Sequence, residues 1–329
     1  MADKAHRLTD EKLEEMEKRL SAIYSRAVSE VGETWKSYLE SAKDEIKDLQ
    51  DQYQEAKKNG NKKEIRRAGI KLSKAKKERT LLDKHYRDLT EQLAIQLSNV
   101  NKTALAYIND QLPEVYSLNY NSIKSKAERI NGYSFELADA DTVKFLATTD
   151  ESLLPYKSIS KSKDVRWNIK SINAEVLQGI LQGEEMPKIA DRLSKVAKMN
   201  EVAAIRNART MVTGAENRGR YDSYERLTDE GLTIKKRWDA TLDLRTRHSH
   251  GMLDGVTVPH DKLFSNGLLY PGDPNGDPSE IYNCRCRMNA DVGQKRGSAR
   301  IARDENGKSV EVPMMTYKEW MEWRKKNVD

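Results

Sequence analysis

The sequence predicts an α+β protein: a long N-terminal antiparallel α-helical hairpin followed by a mixed α+β domain. Two observations carry that prediction. Proline is absent before Pro113 and only Gly32, Gly60 and Gly69 occur in the first 130 residues, so little there obliges a helix to stop. The composition then changes abruptly in residues 248–286, which hold three of the five histidines, both cysteines and four of the eight prolines. Such a segment is a turn-rich scaffold or a place where specific chemistry sits.

Each element follows from its pattern. In the first arm, apolar or small residues recur three or four apart, from Leu13, Met16, Leu20 and Ile23 through Trp35 and Tyr38 to Leu49, Tyr53 and Ala56. Ile65, Ala68, Leu72, Ala75, Leu82, Tyr86, Leu89 and Leu93 repeat the pattern, with Arg79 on the seam, and the tip of the hairpin falls at Lys57 to Lys63 around Asn59-Gly60-Asn61. Charge supports the pairing: residues 8–56 carry 7 Lys/Arg against 13 Asp/Glu, whereas residues 57–79 carry 11 against 2. After Pro113 the periodicity breaks, which sets a boundary near residue 130. Ile169 to Leu181 then reads as a helix closed by Gly183, Met186 to Ala197 as a second, and residues 200–230 as a third stopped by Gly231. Thr233 to Trp238 alternates like a strand, Asp254-Gly255 is a hairpin signal between Leu253 and Val256-Thr257-Val258, and Pro271-Gly272 is a further turn. Thr316 to Arg324 reads as one amphipathic helix. Three segments result: an arm over 1–130, an α+β domain over 131–300 and a tail over 301–329.

The chain of 329 residues, 37% hydrophobic and 33% charged, is long enough for two domains. Its apolar runs are far shorter than the ~20 residues of a membrane span, and Met1 to Arg7 lack an apolar secretion segment. Two cysteines separated by one residue make no disulfide framework, so reduced thiols are expected.

Three groups of residues are candidates for function. Lys57, Lys58, Lys62, Lys63, Arg66, Arg67, Lys71, Lys74, Lys76 and Lys77, with Arg79, form a basic stretch that reads as a solvated face balanced by the acidic first arm; the alternative is contact with DNA phosphates or an acidic protein surface. The stretch lacks interleaved aromatics for base stacking. His250, His260, Cys284 and Cys286 supply a Cys2His2 set suited to structural zinc, with His248 competing for one place, while buried free thiols and a hydrogen-bonded core histidine are the plainer reading. Cys284 or Cys286 with His250 and an orienting Asp254 outlines a Cys/His nucleophilic enzyme. Without a phosphate-cradling glycine loop, paired metal carboxylates or a serine elbow, the expectation is no enzyme and no obligatory cofactor. Arg209 and Arg245 read as bidentate partners for Asp239 and Asp243.

The ordered set Ala208-Arg209-Thr210, Asn217-Arg218-Gly219-Arg220, Trp238, Thr241, Arg245-Thr246, His250, Asp254-Gly255, Pro271-Gly272 and Asn283-Cys284-Arg285-Cys286 resembles the phage head morphogenesis family typified by Mu F-like minor head proteins. The resemblance covers about residues 170–290. Met211 departs from it, standing where many relatives have an acidic residue. The resemblance implies a mixed α+β Mu F-like domain in a minor capsid protein of few copies, with portal protein, other head proteins and double-stranded DNA as partners. It also implies a place inside the virion at the portal vertex, after assembly in the host cytoplasm, and a role in head assembly or DNA packaging and delivery. Some relatives carry a further effector domain, for which the stretch after Cys286 is too short.

Overall fold

The computed structural model describes residues 3–78, 84–131, 137–182, 184, 186–291, 298–304 and 309–327. The hairpin is built from α1 (Lys4–Lys58), α2 (Lys62–Glu78) and α3 (Lys84–Asn131). α1 ends where the sequence offers Asn59-Gly60: Gly60 takes φ 71, a left-handed conformation that glycine adopts without strain, and the Asn61 side chain accepts from the Lys63 backbone N–H to start α2. Across the tip the Tyr53 ring packs against Gly69, 3.2 Å from where a Cβ would stand. Arg79 and Leu82 of the expected second arm lie outside the described residues.

The chain then runs through α4 (Ala140–Thr149), α5 (Lys161–Leu181), α6 (Met186–Asp229), β1 (Lys235–Asp239), α7 (His248–Met252), β2 (Thr257–Pro259), α8 (Pro278–Ile281), β3 (Arg287–Asp291), β4 (Ala299–Arg303), β5 (Ser309–Pro313) and α9 (Tyr317–Asn327). The strands form an antiparallel sheet in the order β2-β1-β3, with Lys236 opposite Val258 on one side and Ala290 on the other, and a separate β4-β5 hairpin. This is the α+β class expected, with a helical hairpin leading.

Three local expectations are corrected. Pro113 lies inside α3, where it forfeits one helical hydrogen bond while its buried neighbours Leu112, Val115 and Tyr116 hold the helix by packing. The two helices expected over 186–197 and 200–230 are one: Asn200, a residue that often ends helices, donates back to the Val196 carbonyl (2.9 Å) and to Asn168 (3.0 Å), so nothing interrupts α6. Asp254-Gly255 does not join two strands; Gly255, at φ 83, turns the chain from α7 into β2 and donates to the Trp238 carbonyl. The β4-β5 hairpin ahead of the C-terminal helix was not foreseen. Gly231 does stop α6, at φ 96, with the Leu232 N–H reaching back to the Leu227 carbonyl.

Two compact units emerge, each assembled from non-consecutive segments. One comprises residues 20–105 and 158–204. Its core is Val31, Trp35, Leu89, Leu93, Leu97, Ile172, Val176, Ile189, Leu193 and Val196, all buried and all at helical spacing. Beside that core runs a polar chain: Tyr24 donates to Asn101 (2.7 Å), and Asn101 donates to Asn200 (2.7 Å) and Asp164 (3.0 Å). A fully paired network of this kind fixes the helix register, because any slip strands a buried polar group.

The other unit comprises residues 1–19, 106–157 and 205–329, and carries the sheet. Here α1 and α3 are tied by Asn119 donating to Thr9 (2.8 Å), and α6 lies so close to α3 that a Cβ on Gly219 would stand 2.5 Å from the Tyr116 carbonyl oxygen. Arg220 is fully buried and bonds Asp3 (2.7 Å), Asn119 (3.0 Å), the Met288 carbonyl (3.2 Å) and Asn289 (2.9 Å), linking both ends of the unit's sequence. The C-terminal α9 docks on its own chain, Trp320 packing with Leu242, Ala302 and Val312.

Candidate functional site

The helix α6 positions the site. Thr210, Thr213 and Asn217 lie on one face of it at spacings of three and four. Thr210 accepts from the Asn283 N–H (2.8 Å), Thr213 donates to the Cys284 carbonyl (2.6 Å), and Asn217 donates to the Cys286 carbonyl (3.1 Å) while accepting from the Met288 N–H (2.7 Å). From the other side Thr241 donates to the Arg285 carbonyl (2.6 Å). The chain entering β3 is thus clamped residue by residue. Asn283 takes φ 59, a left-handed conformation that asparagine tolerates better than most side chains, and this aims Cys284 and Cys286 inward.

Both sulfurs meet one imidazole nitrogen. His250 Nδ1 lies 3.6 Å from Cys284 Sγ and 3.5 Å from Cys286 Sγ, and all three side chains are buried. The opposite ring nitrogen, Nε2, lies 2.9 Å from Glu280 Oε2. Glu280 is itself held by Ser249 (3.2 Å) and Asn266 (3.2 Å). It is presented by α8, which Asp277 caps by accepting from the Ser279 N–H with Pro278 in the first turn. Trp238 stands edge-on to the His250 ring at 5.0 Å and to Phe264 at 5.1 Å, and Leu253, Leu268 and Ile281 complete an apolar wall.

Electrostatics divide the two thiols. Burial pushes the Cys286 thiol up, but hydrogen bonding from Cys284 and from His250 outweighs it and holds Cys286 well below the usual thiol range. Cys284 is raised, first by its hydrogen bond to Cys286 and then by burial. Burial lowers His250, yet Cys286 and Glu280 bring it above its ordinary value. The cluster therefore favours a thiolate beside an imidazole.

Of the candidate zinc ligands, the fold brings His250, Cys284 and Cys286 together, their donor atoms all within 4.8 Å of one another. His260 is not in that group; its carbonyl accepts from Lys236 Nζ (2.6 Å). His248 is exposed. Asp254 does not orient His250: Arg300 takes it with two bonds of 2.8 Å, and it also accepts from the Ala240 and Tyr317 N–H groups at 2.7 Å each, so the imagined Cys/His/Asp constellation is not assembled. Arg209 pairs with Glu17 (2.6 and 2.8 Å) rather than with Asp239 or Asp243. Arg245 is exposed, and it is Arg285 that pairs with Asp243. Asp239 is held by Arg237 (2.9 Å) and Arg287 (3.6 Å).

Sequence reading missed Glu280, Thr213 and Arg300. A signal existed for the first, because Asp277-Pro278 three positions ahead of a glutamate marks a helix start. None existed for Arg300, whose partner lies 46 residues away.

Of the basic stretch, Lys57, Lys58, Lys62, Lys63, Arg66, Arg67, Lys71 and Lys74 are exposed around the hairpin tip. Lys57 lies 4.8 Å over the Tyr53 ring. Lys76 and Lys77 fall within α2 but their side chains, like Arg79, lie outside what is described.

Residues 170–289 match the model of the family described as phage Mu protein F like protein. The chain is 26% identical over 321 residues, 95% of this chain and 97% of the other, to minor head protein GP7 of Bacillus phage SPP1. It is also 28% identical over 153 residues to the NAD(+)–arginine ADP-ribosyltransferase EFV of Enterococcus faecalis, a match covering 46% of this chain and 31% of that protein. No solved structure matches the chain. No helix among the described residues is long and apolar enough to cross a membrane.

Proposed function

We propose that this chain is a minor head component of the virion that acts at the portal vertex, in contact with portal protein and other head proteins and near the packaged DNA, during head assembly or DNA packaging and delivery. It is made and assembled in the host cytoplasm and has no enzymatic task of its own. The observation that carries this reading is the length of the likeness to a minor head protein: 95% of this chain, hairpin included, aligns with 97% of that relative. The partial match to a protein named as an ADP-ribosyltransferase spans 31% of that protein, so it argues for a shared segment more than a shared reaction. Quantitative mass spectrometry of purified particles tests the reading. A few copies per particle, and co-purification with portal protein from infected cells, are expected; absence from particles would overturn it.

A second reading, DNA binding through the hairpin tip, is favoured by the eight exposed Lys and Arg side chains there. It requires binding to duplex DNA whose affinity falls with salt at about 0.9 log units per neutralised phosphate, per log unit of salt. Reversing Lys62, Lys63, Arg66 and Arg67 to Glu flattens that slope if the tip binds. If affinity and slope stay the same, the basic face is a solvated surface.

A further inference from the structure

We infer that His250 Nδ1, Cys284 Sγ and Cys286 Sγ form a zinc site, with Glu280 fixing the imidazole from behind and His260 taking no part. The spacing of the donors is the first argument. Zinc bonds of about 2.3 Å to sulfur and about 2.05 Å to nitrogen, opened to a tetrahedral angle, set sulfur and nitrogen about 3.6 Å apart. The structure places the two sulfurs 3.6 and 3.5 Å from the same nitrogen. One ring nitrogen has a single in-plane lone pair or proton, which serves one hydrogen bond well and two poorly. An ion between the three atoms satisfies them all.

The surroundings give the second argument. A metal-bound histidine characteristically passes its other N–H to a carboxylate, which fixes the tautomer. Glu280 stands at that position, 2.9 Å from Nε2, and is itself tethered by Ser249 and Asn266. Trp238, Phe264, Leu268 and Ile281 shield the cluster, and a divalent ion there balances both sulfurs as they give up their protons to bind it. Two sulfurs and an imidazole select zinc over hard cations such as magnesium or calcium. Three protein donors leave one tetrahedral position to a water or small exogenous ligand.

The role that follows is a staple. Between β1 and β3 the regular structure is limited to a five-residue helix, a three-residue strand and a four-residue helix. An ion held by α7 and by the entry to β3 crosslinks the two ends of this irregular stretch, as metals do where an apolar core alone is thin.

Metal analysis of the full-length chain, purified under reducing conditions without chelator, tests the site. About one zinc per chain is expected. Cobalt(II) exchanged into the same protein is expected to show thiolate-to-cobalt charge-transfer absorption and the intense visible bands of a tetrahedral ion. Cys284→Ser and Cys286→Ser each remove the charge-transfer intensity of one thiolate, Glu280→Gln weakens binding about 10–100-fold without changing stoichiometry, and His260→Asn leaves both unchanged. The inference is overturned if the wild-type chain, natively folded by circular dichroism and with both thiols reduced, neither carries zinc nor yields that cobalt spectrum. It is equally overturned if His260→Asn abolishes binding. The wild-type measurements stand even if a cysteine variant fails to fold.

Discussion

Replacing Gly219 by alanine is expected to destabilise the protein, although glycine-to-alanine changes within helices ordinarily stabilise by about 1 kcal/mol. The new Cβ would stand 2.5 Å from the Tyr116 carbonyl oxygen, 3.2 Å from its carbon and 3.3 Å from its Cα. All three atoms are backbone of α3, so no side chain can swing aside. A carbon and an oxygen approach to about 3.3 Å at closest, so α6 and α3 must part by roughly 0.8 Å there. A gap of that size forfeits about a quarter to a half of the dispersion attraction of the facing atoms. It also stretches the bonds from Ser223 to the Tyr120 carbonyl (2.8 Å), Tyr116 to Asp222 (2.6 Å) and Arg220 to Asn119 (3.0 Å). An overpacking cost of about 1–3 kcal/mol, against a propensity gain of about 1, leaves a net loss of up to about 2 kcal/mol. Gly32 is the control: it lies within α1 with nothing in 4 Å of an added Cβ, so Gly32→Ala keeps the gain of about 1 kcal/mol. Urea unfolding monitored by circular dichroism, at unchanged m, reads both. A Gly219→Ala protein as stable as wild type, or more so, would refute the close approach of the two helices.

Three further outcomes are expected. Arg220→Met leaves Asp3 and Glu216 buried without their guanidinium and lowers stability by about 3–5 kcal/mol in urea unfolding; adding Asp3→Asn recovers part of the loss, and a single variant with an unchanged midpoint would contradict the buried pairing. Burial lowers the His6 pKa, but Glu216 and Asp10 outweigh it and raise it above 6.5, so its stabilisation is complete below the unfolded value and lost as pH rises through the folded one. The stability gap between wild type and His6→Asn is accordingly larger at about pH 5.5 than at about pH 8.5, and a gap that widens with pH would reverse the assignment. Burial pushes the Asp239 carboxyl up, but Arg287, Arg237 and Arg300 hold it well below the carboxylate range. Its stabilisation is present above the unfolded value near 3.9 and fades as pH falls through the folded one, so wild type and Asp239→Asn differ at neutral pH and converge in strong acid, as acid titration of unfolding would show.

Much of the candidate site was legible residue by residue, and less of it as a constellation. His250, Cys284 and Cys286 stood out because histidine and cysteine are scarce and cluster in one stretch, and the fold does bring them together. Choosing His260 as a fourth partner rested on proximity along the chain, which an irregular segment does not convert into proximity in space. Asp254 was matched to His250 for the same reason. In the fold it serves Arg300, brought to it by the unforeseen β4-β5 hairpin, and Glu280 takes the place beside the imidazole.

What the sequence by itself determined is what depends on neighbours along the chain. Helical spacing placed the apolar positions of α1, of α2 and of the start of α3, glycine at the hairpin tip ended α1, and Gly231 closed α6, because these follow from periodicity and backbone freedom that a few residues carry alone. Tertiary structure decided what depends on partners far away. Asn200 continues a helix because Val196 and Asn168 satisfy its amide. Pro113 is tolerated because its neighbours are buried, and residues 1–19, 106–157 and 205–329 make one compact unit through the bonds that Arg220 and Asn119 gather. Burial turns an unpaired polar group from a neutral feature into a cost, and where each such group finds its partner is settled only when distant segments pack.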